Sequence, residues 1–281
     1  MGATLTGIRL ACAAMGTRFE IALEDADAHP AAEAALDEVT LWHNRLSAFE
    51  SSSVVAHIGR SGGEWVRVDA ETFTLLKLCR ELWERTGGAF DPTVGPLMEA
   101  WGFRGAATDP GAVEAARACT GMHLVELDEP GRRVRLVHPG VRLDLGGIGK
   151  GWAIDRALEV LRDAGVRRAL IHAGTSSVGA IGRWPIALRL EGGQTRPITL
   201  ENACLSVSAP RGRVVEGKGH ILDPRTGAPA PSRVATAAAI HASASVAEAV
   251  STALVVDPSL EATFTDSLEC TTYLERHNAD T

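Results

Sequence analysis

The chain has 281 residues, with 45% hydrophobic and 22% charged side chains. That length can bury a substantial core, and that composition excludes a disordered polypeptide. Lys and Arg number 28 against 35 Asp and Glu, a net charge of −7, so the basic excess expected of a nucleic-acid-binding protein is missing. The five cysteines, Cys12, Cys79, Cys119, Cys204 and Cys270, are far apart and never form a CxxC pair. Neither a disulfide framework nor a zinc knuckle is expected.

In chain order, Ile8 to Leu23 reads as strand material broken by the turn-like Met15-Gly16-Thr17, with Phe19, Ile21 and Leu23 alternating after it. No apolar stretch precedes Leu10-Ala11-Cys12-Ala13, so the expectation is a cytoplasmic chain, or one cut free of a leader. Pro30 opens a helix running through Val39 and Trp42 to about Arg45. Asp69 and Thr72 are candidate caps of a second helix that stops at Gly87-Gly88. A short helix near Ala112 to Ala118 precedes a hairpin of Leu124–Leu127 and Val134–Val137, with Gly131 near its tip.

Residues 141–182 read as a strand ending at Leu143-Asp144-Leu145, a Gly-rich turn, an amphipathic helix from Trp152 to Ala164 and a strand Ala169-Leu170-Ile171. A meander follows through Ile186-Leu188-Leu190 and Ile198-Leu200, then a loop with His220, Asp223 and Pro224. The Ala-rich run Val234 to Val256 holds His241, Glu248 and several hydroxyls, so a buried strand and helix explain it better than a membrane span. Strands and helices mix without strict βαβ alternation, which predicts an α+β fold. No linker is visible, so residues 1–281 are expected to form a single domain.

Four segments carry candidate chemistry. Asp144 to Gly151, DLGGIGKG, sets three glycines between strand and helix, where backbone amides and Lys150 attract an anion; a plain tight turn is the alternative. In His220 to Gly227, HILDPRTG, His220 is a candidate base and Asp223 an orienting group, or the His lies on an ordinary surface loop. Glu248 and Thr252, four apart on a helix, could jointly ligate a hard cation such as magnesium, but Ser245 and Glu248 have capping-box spacing, and the residues by themselves favour the cap. Thr86 to Leu97, TGGAFDPTVGPL, is a ligand-shaping loop or a helix cap and turn, and Phe49 is a core residue or a stacking platform.

Taken in order, these segments resemble the ApbE family of FAD:protein FMN transferases, over most of the chain from Met15 to Val256. Met15-Gly16-Thr17 is similar to the family's M-G-T, and RLSAFESSS at Arg45 to Ser53 to its M-S-x-Y segment. Thr86 to Leu97 resembles its G-G-A-F-D-P-T-V-G-P-L loop, continued by Trp101-Gly102-Phe103. Asp144 to Gly151 is similar to its D-x-x-x-I-A-K-G turn, and His220 to Gly227 to its H-I-x-D-P-x-T-G loop.

The resemblance implies an α+β, mixed-sheet architecture, related to the T-fold, with helices packed on the sheets. It implies binding of FAD and magnesium and transfer of FMN to a Thr or Ser hydroxyl of a flavoprotein, with release of AMP. Met15, Phe49, Ala89, Phe90, Asp91, Asp144, Lys150, His220 and Ile221 would contact FAD, with His220 as the base. Gly147, through its carbonyl, would hold the metal together with Glu248 and Thr252. The chain departs from the pattern at four places. The usual aspartate is Glu248, the usual tyrosine is Phe49, the Ala before the Lys is Gly149, and a G-G-[NDE] turn is replaced by Ala173-Gly174-Thr175-Ser176-Ser177. Two other readings remain open: an FAD pyrophosphatase that uses water as acceptor, and an FAD-binding protein without turnover.

Overall fold

The computed structural model describes residues 7–104, 110–190, 193–210, 214–215, 217–231 and 233–277. Strands β1 (Ile8–Ala14) and β2 (Thr17–Leu23) pair around a two-residue turn in which Met15 and Gly16 both take positive φ, 50° and 71°. That conformation matches the right-handed twist of a hairpin. Helix α1 (His29–Leu46) has Pro30 in its first turn and buries Ala32, Ala35, Leu36, Val39, Trp42 and Leu46 at helical spacing. Helix α2 (Val54–Gly59) is capped by Ser53, and β3 (Val66–Arg67) leads to α3 (Ala70–Arg85). Asp69 caps α3 by accepting the N–H groups of Glu71 and Thr72; Thr72 itself is inside the helix and donates its hydroxyl to Asp69.

Helices α4 (Gly95–Ala100) and α5 (Pro110–Ala118) follow. The expected hairpin is β4 (Val125–Asp128) and β5 (Arg133–Leu136), which β3 joins in a three-stranded sheet. The strand expected to end at Leu143-Asp144-Leu145 does not form. Instead Val94 and Arg142 make an isolated parallel bridge, and the Asp144 N–H donates to the Pro92 carbonyl at 2.7 Å. The segment thus uses its backbone to hold the loop before α4. Gly95 permits this approach, because a Cβ there would come within 2.7 Å of Arg142 Cβ. Helix α6 (Gly149–Asp163) begins three residues before Trp152, at the Gly-rich turn itself.

After α6 come β6 (Ala169–Ala173), β7 (Ser177–Ile181), β8 (Arg183–Arg189), β9 (Thr195–Glu201) and β10 (Cys204–Ser208). Four two-residue strands, β11 (Val214–Val215), β12 (Lys218–Gly219), β13 (Leu222–Asp223) and β14 (Ala228–Pro229), shape the loop that carries His220. The chain closes with β15 (Val234–His241), α7 (Ala244–Val256), α8 (Glu261–Leu268) and β16 (Thr271–Arg276). The large sheet has the order β1-β2-β6-β7-β10-β15-β16, with every neighbouring pair antiparallel. Alternation sends Ile171, Cys204, Ala237 and Ala239 into a core shared with α1, α6 and α7. Ala180, Leu205 and Ala238 point the other way, against Trp184, Leu188 and Leu200 of the β8–β9 ribbon. The architecture is α+β. Among the described residues no helix is long and apolar enough to cross a membrane.

Candidate active site

The placement of α7 decides where Glu248 goes. Ser243 is the N-cap, and its hydroxyl accepts the Val246 N–H. Asp155 of α6 reaches across and accepts the Ser243 hydroxyl at 2.7 Å, the Ala244 N–H at 2.7 Å, the Ser245 N–H at 3.0 Å and the Ser245 hydroxyl at 2.6 Å. Ser245 is therefore occupied by Asp155, and no Ser245–Glu248 capping box forms. Glu248 turns instead to the start of α6, where one carboxylate oxygen accepts the Gly151 N–H at 2.7 Å and the other pairs with the Lys150 ammonium. Only 4% of the Glu248 side chain is exposed. Its charge is matched by a cation, a backbone donor and the positive end of the α6 dipole.

One turn along α7, the Thr252 hydroxyl lies 3.5 Å from Ser208 Oγ on β10. Ser251 beside it is fully buried and bonds Ser206, Ser208 and the Glu248 carbonyl. The Gly147 backbone faces this group: a Cβ there would sit 3.7 Å from Thr252 Oγ1 and 3.5 Å from Phe90 Cε2. Gly147, Phe90, Lys150, Glu248 and Thr252 are thus brought together. Among the described residues no group of three or more His, Cys, Asp and Glu side chains forms a metal cage. The oxygen donors present, one buried carboxylate already engaged by Lys150 and Gly151, one hydroxyl and loop backbone, are of the type that would suit a hard divalent cation.

Ala89, Phe90 and Asp91 are buried and organise their loop from within. The Phe90 N–H donates to Thr86 Oγ1 at 3.1 Å. Asp91 accepts the Thr93 N–H at 2.7 Å and its hydroxyl at 2.5 Å, and Thr93 Oγ1 accepts the Gly121 N–H at 2.6 Å. Burial pushes the Asp91 carboxyl up to about 6, against the opposing pull of these hydrogen bonds. Asp144 accepts the Gly146 N–H at 2.9 Å and pairs with Arg104 at 2.6 Å. The Arg104 guanidinium also lies over the Phe49 ring, 4.9 Å from its centroid. Phe49 is 75% exposed, which settles against a core role for it.

Met15 donates its N–H to His43 Nδ1 at 3.1 Å, tying the first turn to α1. The turn 173–177 lies beside it: Gly174 donates to the Arg18 carbonyl, and a Cβ at Gly174 would collide with the Thr17 hydroxyl. The chain thus keeps a glycine where contact and a φ of 58° require one. His220 is half-buried on the loop between β12 and β13, and Ile221 packs against the main core. Asp223 holds Arg225 through both carboxylate oxygens, at 2.9 and 3.0 Å, and Arg225 reaches Asp257 after α7 at 3.0 Å. Trp101 Nε1 donates to the Gly227 carbonyl at 2.7 Å, so this loop is docked on the C-terminal end of α4.

The ApbE family model matches residues 15–269. The chain belongs to the ApbE family. It is 32% identical over 200 residues to a FAD:protein FMN transferase of Klebsiella pneumoniae, covering 67% of this chain and 63% of that protein. It is 34% identical over 213 residues to the Rhodobacter capsulatus FAD:protein FMN transferase, covering 70% and 40%. The chain therefore spans less than two thirds of the length of these two relatives. The Treponema pallidum FAD:protein FMN transferase is 32% identical over 265 residues, covering 81% and 73%. The crystal structure of the ApbE protein from Thermotoga maritima superposes with a TM-score of 0.88 at 33% identity, covering 96% and 94% of the two chains.

Three neighbours of the candidate site escape sequence reasoning. Asp155 and Arg104 meet their partners only through tertiary packing. Arg104 had one available signal, its position directly after Trp101-Gly102-Phe103. Arg225 lies inside the quoted HILDPRTG loop, but its bond to Asp257 crosses 32 residues.

Proposed function

We propose that this chain is a magnesium-dependent FAD:protein FMN transferase. It would attach FMN through a phosphoester bond to a Thr or Ser hydroxyl of a target flavoprotein and release AMP. The observation that carries the reading is the meeting of Glu248, Lys150 and Thr252 at the N-terminal end of α6, beside the Gly147 turn. Such a place receives a diphosphate: a helix start and an ammonium attract the anion, and oxygen donors suit its counter-ion. The FAD:protein FMN transferases among its relatives support the same chemistry.

In this reading Glu248, Thr252 and the Gly147 carbonyl would hold the cation, and a bound cation would supply neutralisation of the charge developing on the diphosphate. The acceptor oxygen attacks the phosphorus of the FMN half. The P–O bond to the AMP half breaks, and AMP leaves with that oxygen. His220, half-buried on the docked loop, is proposed to take the hydroxyl proton. Phe49 offers an exposed face for a flat ring, and Met15, Ala89, Phe90, Asp91, Asp144 and Ile221 shape the walls.

The test is incubation with FAD and magnesium, with and without an unflavinylated flavoprotein, followed by product analysis. AMP formation that depends on the acceptor, with an FMN mass increment on it, supports transfer. Free FMN and AMP without acceptor would point to hydrolysis, and intact FAD retained in stoichiometric amount would point to a binding protein.

A further inference from the structure

Among the described residues Phe49 is the most exposed large apolar side chain, at 75%, in a chain with few aromatic residues. An exposed Phe ring has no hydroxyl to fix its orientation, and its open surface costs hydration free energy. Arg104 packs on its ring. The guanidinium lies 4.9 Å from the ring centroid, while its NH2 group pairs at 2.6 Å with Asp144, a buried carboxylate. Asp144 is itself rigid: it accepts the Gly146 N–H, and its own N–H is bonded to Pro92. The Arg104 side chain is 16% exposed, so the guanidinium is mostly shielded between ring and carboxylate.

We propose that Arg104 is a positioning residue of the flavin site. It backs one face of Phe49 and presents the other to a planar heteroaromatic ring. The proposal rests on the reading of this site as FAD-binding. The planar guanidinium can stack on a ring and bond a carboxylate at once, which a lysine ammonium cannot do.

A double-mutant cycle on FAD affinity, followed by quenching of flavin fluorescence, tests this. The variants are Arg104→Met, Arg104→Lys, Phe49→Ala and the Arg104→Met/Phe49→Ala pair, with thermal melts run on each. Arg104→Met should weaken FAD binding about fivefold, the scale of a partly shielded cation–π contact, and reduce the quenching of the bound flavin's fluorescence. Arg104→Lys should keep the melting temperature closer to wild type yet lose most of the quenching. In the Phe49→Ala background, Arg104→Met should change affinity less than twofold. An equal loss in both backgrounds would overturn the proposal and assign Arg104 to Asp144 alone. Failure of the unmodified chain to bind FAD would instead remove the flavin reading on which the proposal stands.

Discussion

Glu248 accepts the backbone N–H of Gly151 at 2.7 Å across 97 residues of chain, and its second oxygen meets the Lys150 ammonium. The pair fastens the start of α6 to the middle of α7, so it is both a structural clasp and the centre of the proposed site. Glu248→Gln leaves the Lys150 charge without its partner. Because Lys150 is partly solvated, the cost should be about 2 kcal/mol, below the range for fully buried pairs. Glu248→Asp shortens the reach by one methylene and should lose the Gly151 bond, costing about 1 kcal/mol. Urea denaturation of both variants checks these values, and an Asp variant as stable as wild type would contradict the clasp.

Asp155 should be the most sensitive polar residue outside the site itself. Asp155→Ala removes the acceptor for four donors at the start of α7 and should cost about 3 kcal/mol. Because α7 carries Glu248 and Thr252, a thermal melt and manganese affinity should fall together. Loss of stability with unchanged metal affinity would separate the cap from the site.

The two glycines flanking Lys150 should respond in opposite ways. A Cβ at Gly149 would meet Leu46 Cδ1 at 3.7 Å, an ordinary contact, so Gly149→Ala should be neutral or stabilise by up to about 0.5 kcal/mol. A Cβ at Gly151 would press into the Ala244 carbonyl and lie 2.7 Å from Ser245 Cα. Gly151→Ala should therefore cost about 3 kcal/mol, because two helix backbones must separate. Melting temperatures of the two variants decide this directly.

Asp91 gives a pH signature. Its carboxyl sits at about 6 in the folded chain against an ordinary 3.8, and burial is the main cause. Because the folded value is raised, the neutral carboxyl favours folding. That contribution is complete below pH 3.8 and is lost as pH rises through about 6. Asp91→Asn can still accept from Thr93 and has no charge to bury. Relative to wild type it should gain on the order of 2 kcal/mol between pH 4 and pH 7. Parallel stability curves for the two proteins would refute the shift.

Local patterns made α1, α3, α6, α7 and the β1–β2 hairpin legible, because apolar spacing, caps and glycine stops all act within a few residues. The strand expected at Leu143–Leu145 failed because its amides serve the Pro92 loop instead of a ladder, a choice made by tertiary packing. The Ser245–Glu248 box failed for the same reason: Asp155, on another helix, is the better acceptor. The candidate site could be read in the sequence as separate segments. Their junctions, Lys150 with Glu248 and Arg104 with Phe49 and Asp144, could not, since each partner lies on a distant stretch of chain.

The central claim is FMN transfer, and the intact mass of an acceptor measures it most directly. The acceptor should be an unflavinylated flavoprotein whose FMN is normally phosphoester-linked, incubated with FAD and magnesium. The account predicts a mass increase of one FMN per acceptor, AMP released in equal amount, and neither product when magnesium is chelated. An unmodified acceptor accompanied by free FMN and AMP, or by FAD left intact, would contradict it.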